Sequence, residues 1–319
     1  MPASIVSPGS SKPEATRAWR GVAAELAASI RQQRFTVLGF VASVVALGWL
    51  VAAGLDRAAT TDADAFRFAL LGGGAGFLAT AAGALPALLL RRVAARTEDV
   101  MLGFAAGMML AATVFSLLQP GLDAGERILG GALPGAALVV LGMSIGVATM
   151  LGLDRFTPHL HEKVGPCGPG HERCSRVWLF VFAIALHNLP EGMAVGAGFS
   201  QGDLGAGLPL AFAIALQDGP EGLAVAFALR TIGLGSARAV LIAIATGLLE
   251  PLGAIFGVTI STGPAFTYPL GLGIAAGAML FVVSHEVIPE THRNGHQTLA
   301  TMGLMAGFAT MMVLDTTLG

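Results

Sequence analysis

Charge is scarce in this sequence. Only 12% of its 319 residues are Asp, Glu, Lys or Arg, about half the share of an ordinary soluble domain. So few charges cannot cover the surface of a water-soluble protein of this size. The formal balance of −2 shows no basic excess of the kind a nucleic-acid binder presents. Two cysteines exclude a disulfide framework. Disorder needs low hydrophobicity and high net charge, whereas 54% of these residues are hydrophobic. Glycine, at 44 residues, is about twice as frequent as usual. The class that survives is an all-α polytopic membrane protein.

A bilayer core about 30 Å thick takes about 20 apolar residues per helix. The chain holds nine such runs: Phe35–Leu55, Phe68–Leu90, Val100–Leu118, Leu129–Leu153, Val177–Phe199, Leu208–Leu229, Ala239–Ile260, Tyr268–Ile288 and Leu299–Leu318. Strands of a membrane barrel would be about 10 residues long and alternate in polarity; these runs do neither. Nine transmembrane helices are therefore expected. Residues 1–34 read as a cytoplasmic tail. Residues 35–55 read as a retained extra helix, because the run exceeds the length of a signal h-region. Residues 56–319 read as one membrane domain with a single long linker, 154–176. With the amino terminus inside, only Arg57, Arg67 and Arg127 of the 18 Lys and Arg fall outside. That asymmetry sets the amino terminus in the cytoplasm and the carboxyl terminus outside.

Two consecutive spans contain nearly the same words. One reads His187-Asn188-Leu189-Pro190-Glu191-Gly192, the other Gln217-Asp218-Gly219-Pro220-Glu221-Gly222. Consecutive spans run antiparallel, so the copies form an inverted repeat near mid-membrane, a recurring transporter layout. A charge at that depth costs about 2.5–3.5 kcal/mol on insertion scales. Glu191, Asp218, Glu221 and Glu250, the last at the centre of Ala239–Ile260, all carry that cost with no Lys or Arg at their depth. Protons or a cation must neutralise them, and His187 at the same level favours a metal. His187 and Glu191 share a helical face at i and i+4, and Gln217 and Glu221 repeat the spacing. Each proline frees a carbonyl, Leu186 and Leu216 respectively, which membranes tolerate only where protein or a wet cavity lines it.

At these residues the sequence resembles the ZIP (Zrt-/Irt-like protein) family of divalent metal transporters, whose motif is a His-Asn-x-Pro-Glu-Gly stretch followed in the next helix by Gln/His-Asp-x-Pro-Glu-Gly. The likeness covers eight of the nine spans, leaving Phe35–Leu55 as the extra helix. It implies two adjacent metal positions. One would use Met109, His187, Glu191, Gln217, Glu221 and Glu250; the other Asn188, Asp218 and Glu250, with Glu191 and Glu221 as bridges. Imidazole, carboxylate, amide and thioether suit zinc, with cadmium, iron(II) and manganese as further cargoes. No resident cofactor is implied. The resemblance also implies a homodimer, an elevator-like movement of the ligand-bearing helices, an outer funnel at Asp123 and Asp315, and an inner exit at His285, Glu286, Glu290, His292 and His296. The inner loop, with His159, His161, His171, Cys167 and Cys174, is similar to the family's His-rich loop and is a candidate for catching or sensing released metal. A bacterial inner (plasma) membrane is compatible with the low charge and the two cysteines.

Two other readings stay open at this level. A zinc site built from His and carboxylate with a nearby Glu is also hydrolase chemistry, although only His187 lies at site depth. A metal-gated channel or sensor would carry the same ligands without a carrier cycle.

Overall fold

The computed structural model describes residues 34–58, 63–90, 93–156 and 172–318. Nine helical segments follow in order, with no strand among the described residues. They are α1 (Arg34–Ala58), α2 (Ala63–Ala84, extended by a 3-10 turn over Leu85–Leu88), α3 (Ala95–Leu129), α4 (Ala132–Phe156), α5 (Glu172–Phe199), α6 (Leu204–Thr231), α7 (Ser236–Ser261), α8 (Thr267–Thr291) and α9 (Gln297–Leu318). Eight of them, α2 to α9, are long and apolar enough to cross a membrane; α1 offers a shorter apolar stretch, Leu38–Ala53, among the described residues. The chain is an all-α polytopic membrane protein. Helix α4 continues to Phe156 and α5 begins at Glu172, so helix reaches into both ends of the linker expected over 154–176. Residues 157–171, with His159, His161 and His171, lie outside the described residues, as do residues 1–33.

Three spans depart from simple helices, each beside a proline. Helix α3 contains a π segment at Thr113–Leu118, just before Pro120, and α8 contains one at Val283–Val287, just before Pro289. A proline has no N–H to offer the preceding turn, and the wider i→i+5 pattern takes up the mismatch. Helix α7 is interrupted. Its halves, Ser236–Thr246 and Leu249–Ser261, meet at Gly247 and Leu248. Pro251 cannot donate to the Gly247 carbonyl, which instead accepts from Glu250 N at 3.1 Å. The continuous span expected over Ala239–Ile260 is thus two half-helices, with Glu250 in the first turn of the second.

Glycine decides how the helices group. A Cβ at Gly222 of α6 would overlap the Thr80 carbonyl of α2, one at Gly83 of α2 the Gly219 carbonyl of α6, and one at Gly192 of α5 the Glu250 carbonyl of α7. Helices α2, α5, α6 and α7 are therefore knitted backbone to backbone. The same holds for α3 with α9, through Gly107 against Leu304, and for α4 with α8, through Gly146 against Ile274. Gly125 of α3 against Gly135 of α4 joins those pairs. Small residues permit such approach, and in lipid close packing supplies much of the association energy. Between the two groups contact is made by side chains, as where Gly271 of α8 meets Ser261.

A paired substitution checks this. Gly107→Ala is expected to cost about 1–3 kcal/mol by overpacking. Gly74→Ala, where an added Cβ would meet nothing within 4 Å, is expected to leave the detergent-solubilised protein's melting temperature unchanged or raise it.

Candidate metal centre

The repeated words of the sequence become the facing middles of α5 and α6. Pro190 and Pro220 both lie inside helix, and Glu191 and Glu221 follow them directly. Glu191, Asp218 and Glu221 are buried, and each offers one carboxylate oxygen such that all three lie within 4.8 Å of one another. At that spacing two full negative charges repel by about 3 kcal/mol even at an effective dielectric near 20. No Lys or Arg pairs with them among the described residues.

Glu250 reaches the same place from α7. It is buried, and its Oε1 accepts a hydrogen bond from Thr80 Oγ1 of α2 at 2.9 Å. Its Oε2 occupies space that glycine leaves open: a Cβ at Gly76 of α2 would overlap Glu250 Oε2 and lie 3.0 Å from Asp218 Oδ2. Gly76 and Thr80, one turn apart, are functional neighbours that sequence reasoning missed. The available signal was the cluster Gly72-Gly73-Gly74 with Gly76 and Thr80. It marks a bare helix face without saying what the face meets.

Two hydrogen bonds orient the ligands. Gln217 Nε2 donates to Glu191 Oε1, tying the two copies of the repeat together. His187 Nδ1 meets the Ala183 carbonyl one turn back. A ring with its hydrogen there keeps its lone pair on Nε2, the arrangement metal-bound histidines use. Nε2 itself has no protein partner. Nor have Asn188 Nδ2, Glu191 Oε2, Gln217 Oε1, Glu250 Oε2 or any carboxylate oxygen of Asp218 and Glu221. Buried polar atoms are ordinarily paired. All of these but the Asn188 amide nitrogen, a donor, are acceptors, and so many converging at one depth form a cradle for a cation. Met109 is fully buried on α3, in the same core as Ala194 of α5 and Met279 of α8. Of the implied ligands, it alone is carried by the other helix group.

The outlying residues divide by the end of the bundle at which they sit. At one end, Asp315 of α9 is held by Ser116 Oγ at 2.7 Å, while Asp123 is exposed, its carbonyl accepting from Arg127 Nε at 3.2 Å. Toward the other end, Glu286 Oε2 lies 3.7 Å from His187 Nδ1. The next residue, His285, lies 3.9 Å from Asp154 of α4. A file of polar groups thus leads away from the buried cluster through the π segment of α8. His296 and Asn294 do not join it. Both bind buried Asp99 at the start of α3, each at 2.8 Å. His292 Nδ1 contacts the Ile288 carbonyl at 2.8 Å. Asp99 and Asp154 were not singled out by sequence, because an Asp near a helix end gives no sign of its distant partner.

These features define an integral membrane protein with a buried acidic cluster whose donors suit a metal cation. A family model described as "ZIP Zinc transporter" matches residues 168–315. The chain is 58% identical to "Zinc transporter ZIPB" of Bordetella bronchiseptica, over 88% of this chain and 92% of that protein. It is 41% identical to "Zinc transporter GufA" of Myxococcus xanthus, over 76% and 95%. It is 30% identical to "Zinc transporter ZIP11" of Homo sapiens, over 75% and 94%. The chain belongs to the ZIP family, and is a metal transporter rather than an enzyme.

Proposed function

We propose that the protein takes up zinc into the cytoplasm through two adjacent metal positions at mid-membrane. The observation that carries this is the trio Glu191, Asp218 and Glu221, with ligand oxygens within 4.8 Å and no basic partner among the described residues. One position uses Met109, His187, Glu191, Gln217, Glu221 and Glu250. The second uses Asn188, Asp218 and Glu250, bridged by Glu191 and Glu221. The donors mix hard oxygen with imidazole and thioether, which suits zinc and extends to cadmium, iron(II) and manganese. No thiolate is among them, so the cation is held without being trapped.

The packing supports a division into a moving part and a frame. The glycine-knitted group α2, α5, α6 and α7 holds every proposed ligand except Met109, and we assign it the moving part of an elevator-like cycle. The group α3, α4, α8 and α9 is the frame. Asp123 and Asp315 gather cations outside; Glu286, His285 and Asp154 lead them in. The amino terminus lies in the cytoplasm, α1 makes a ninth crossing, and the protein sits in a bacterial plasma membrane as a homodimer. Inward flow is favoured by an inside-negative potential, worth about 5 kcal/mol for a dication crossing 100 mV.

Proteoliposomes test this. Zinc uptake is expected to saturate with concentration and to accelerate under an inside-negative potential. Equilibrium titration of the purified protein is expected to give two zinc ions per chain, falling to one in the double variant Asn188→Ala, Asp218→Asn. A wild-type stoichiometry of one rejects the paired site, and uptake that rises linearly without a plateau rejects the carrier.

A further inference from the structure

Behind the metal cluster lies a second cavity, and it is of the opposite chemistry. It measures about 340 Å³, and its walls include Gly48 of α1, Thr149 of α4, Pro190 and Met193 of α5, Ile260 of α7 and Ile274 of α8. Thr149 contributes no free donor, because its hydroxyl is bonded to the Ile145 carbonyl at 2.8 Å. No charged residue lines the space.

We propose that this cavity binds one acyl chain of a membrane phospholipid, seated beneath α1 between the two helix groups. The space is a half-open recess in the apolar surface and not a void of the packed interior. Water gains little there, since it needs two to four polar partners and the walls offer it almost none. Left empty, its lining atoms forfeit their dispersion contacts on one side. The space is also continuous with the lipid-facing surface. Val44 and Phe256 line it and are themselves 48% and 47% exposed, whereas Ile260 and Ile274 at its floor are each 1% exposed. A chain from the surrounding bilayer has a path in, and nothing on the walls would hold a headgroup. Gly48 keeps the space open: a Cβ there would meet nothing within 4 Å, although a helix interior favours almost any other residue.

Two of the walls belong to the group assigned the moving part and two to the frame. On that reading of the transport cycle, the bound chain is a wedge between them, and uptake responds to the acyl composition of the membrane.

Photolabelling decides the matter independently of transport. The full-length protein is reconstituted into phosphatidylglycerol vesicles containing a small fraction of phosphatidylcholine with a diazirine at the end of one acyl chain. It is then irradiated, digested and mapped by mass spectrometry. Label is expected on the half-buried lining residues Met193 and Thr149, as well as on the exposed Val41 and Val45 of α1. In Gly48→Phe, whose ring fills the space, label on Met193 and Thr149 is expected to fall about tenfold or more, while label on Val41 and Val45 persists. Wild-type labelling confined to Val41 and Val45 overturns the proposal, as does equal labelling of Met193 and Thr149 in Gly48→Phe. Zinc uptake measured in the same vesicles reports separately on the transport reading.

Discussion

Glu221→Gln is expected to abolish zinc uptake into proteoliposomes while leaving the metal-free protein at least as thermostable as wild type. The two outcomes together separate a ligand from a structural residue. Glutamine keeps the shape of the side chain and removes the charge. Losing a group that merely orients a metal ligand costs about 10–100-fold, so losing a ligand at the centre of the trio costs at least about a hundredfold. Stability runs the other way. Both Glu221 oxygens are buried without a protein partner, and another carboxylate oxygen of the trio lies within 4.8 Å. Replacing a buried charge that is poorly compensated is often neutral or stabilising by about 1–4 kcal/mol. Uptake is read with a fluorescent zinc reporter in the lumen, and stability by thermal unfolding in detergent with a chelator present. A variant that unfolds early and transports normally would show the carboxylate to be scaffolding.

Gly76→Val is expected to be nearly as damaging, although it removes no ligand. Its side chain would occupy the place of Glu250 Oε2 and crowd Asp218 Oδ2. Glu250 cannot retreat freely, because Oε1 is tied to Thr80 and its backbone nitrogen to Gly247. Zinc affinity is expected to fall about 10–100-fold, the range for residues that position ligands, with a packing cost of about 1–3 kcal/mol besides. Thr80→Val removes one hydrogen bond to a charged group, worth about 1.5–3 kcal/mol, and is expected to weaken zinc binding without the packing cost. Titration calorimetry on the purified variants checks both. Unchanged affinity in Gly76→Val would place Glu250 outside the site.

The contrast between these residues shows what the sequence made legible. The nine apolar runs and the repeated Pro-Glu-Gly words were readable because each is a local pattern. A charge at mid-membrane has so few reasons to exist that its chemistry follows from its position. Glu250 was readable by the same reasoning, but the break beside it was not foreseen, although Pro251 stood next to it. Gly76 and Thr80 were not readable, because their role is to face residues more than a hundred positions away along the chain. The fate of His296 was misleading for a related reason. The resemblance grouped it with His285 and Glu286, and the turn after α8 carries it to Asp99 of α3. The abundance of glycine was plain in the sequence, but not its use: the closest backbone approaches lie inside the two helix groups and not between them.

The break in α7 also bears on how long a cation stays. Glu250 stands in the first turn of a half-helix that begins in the middle of the membrane. The aligned peptide dipoles place partial positive charge at that end, worth about 0.3–1 kcal/mol to a neighbouring carboxylate and up to about 2 where partly buried. The same field that makes an ionised Glu250 bearable in lipid repels the ion the carboxylate is there to receive. Two kcal/mol of opposition shortens a residence time by more than about tenfold, so, with Glu250 as the ligand proposed above, the interrupted helix would tune the centre toward turnover instead of storage.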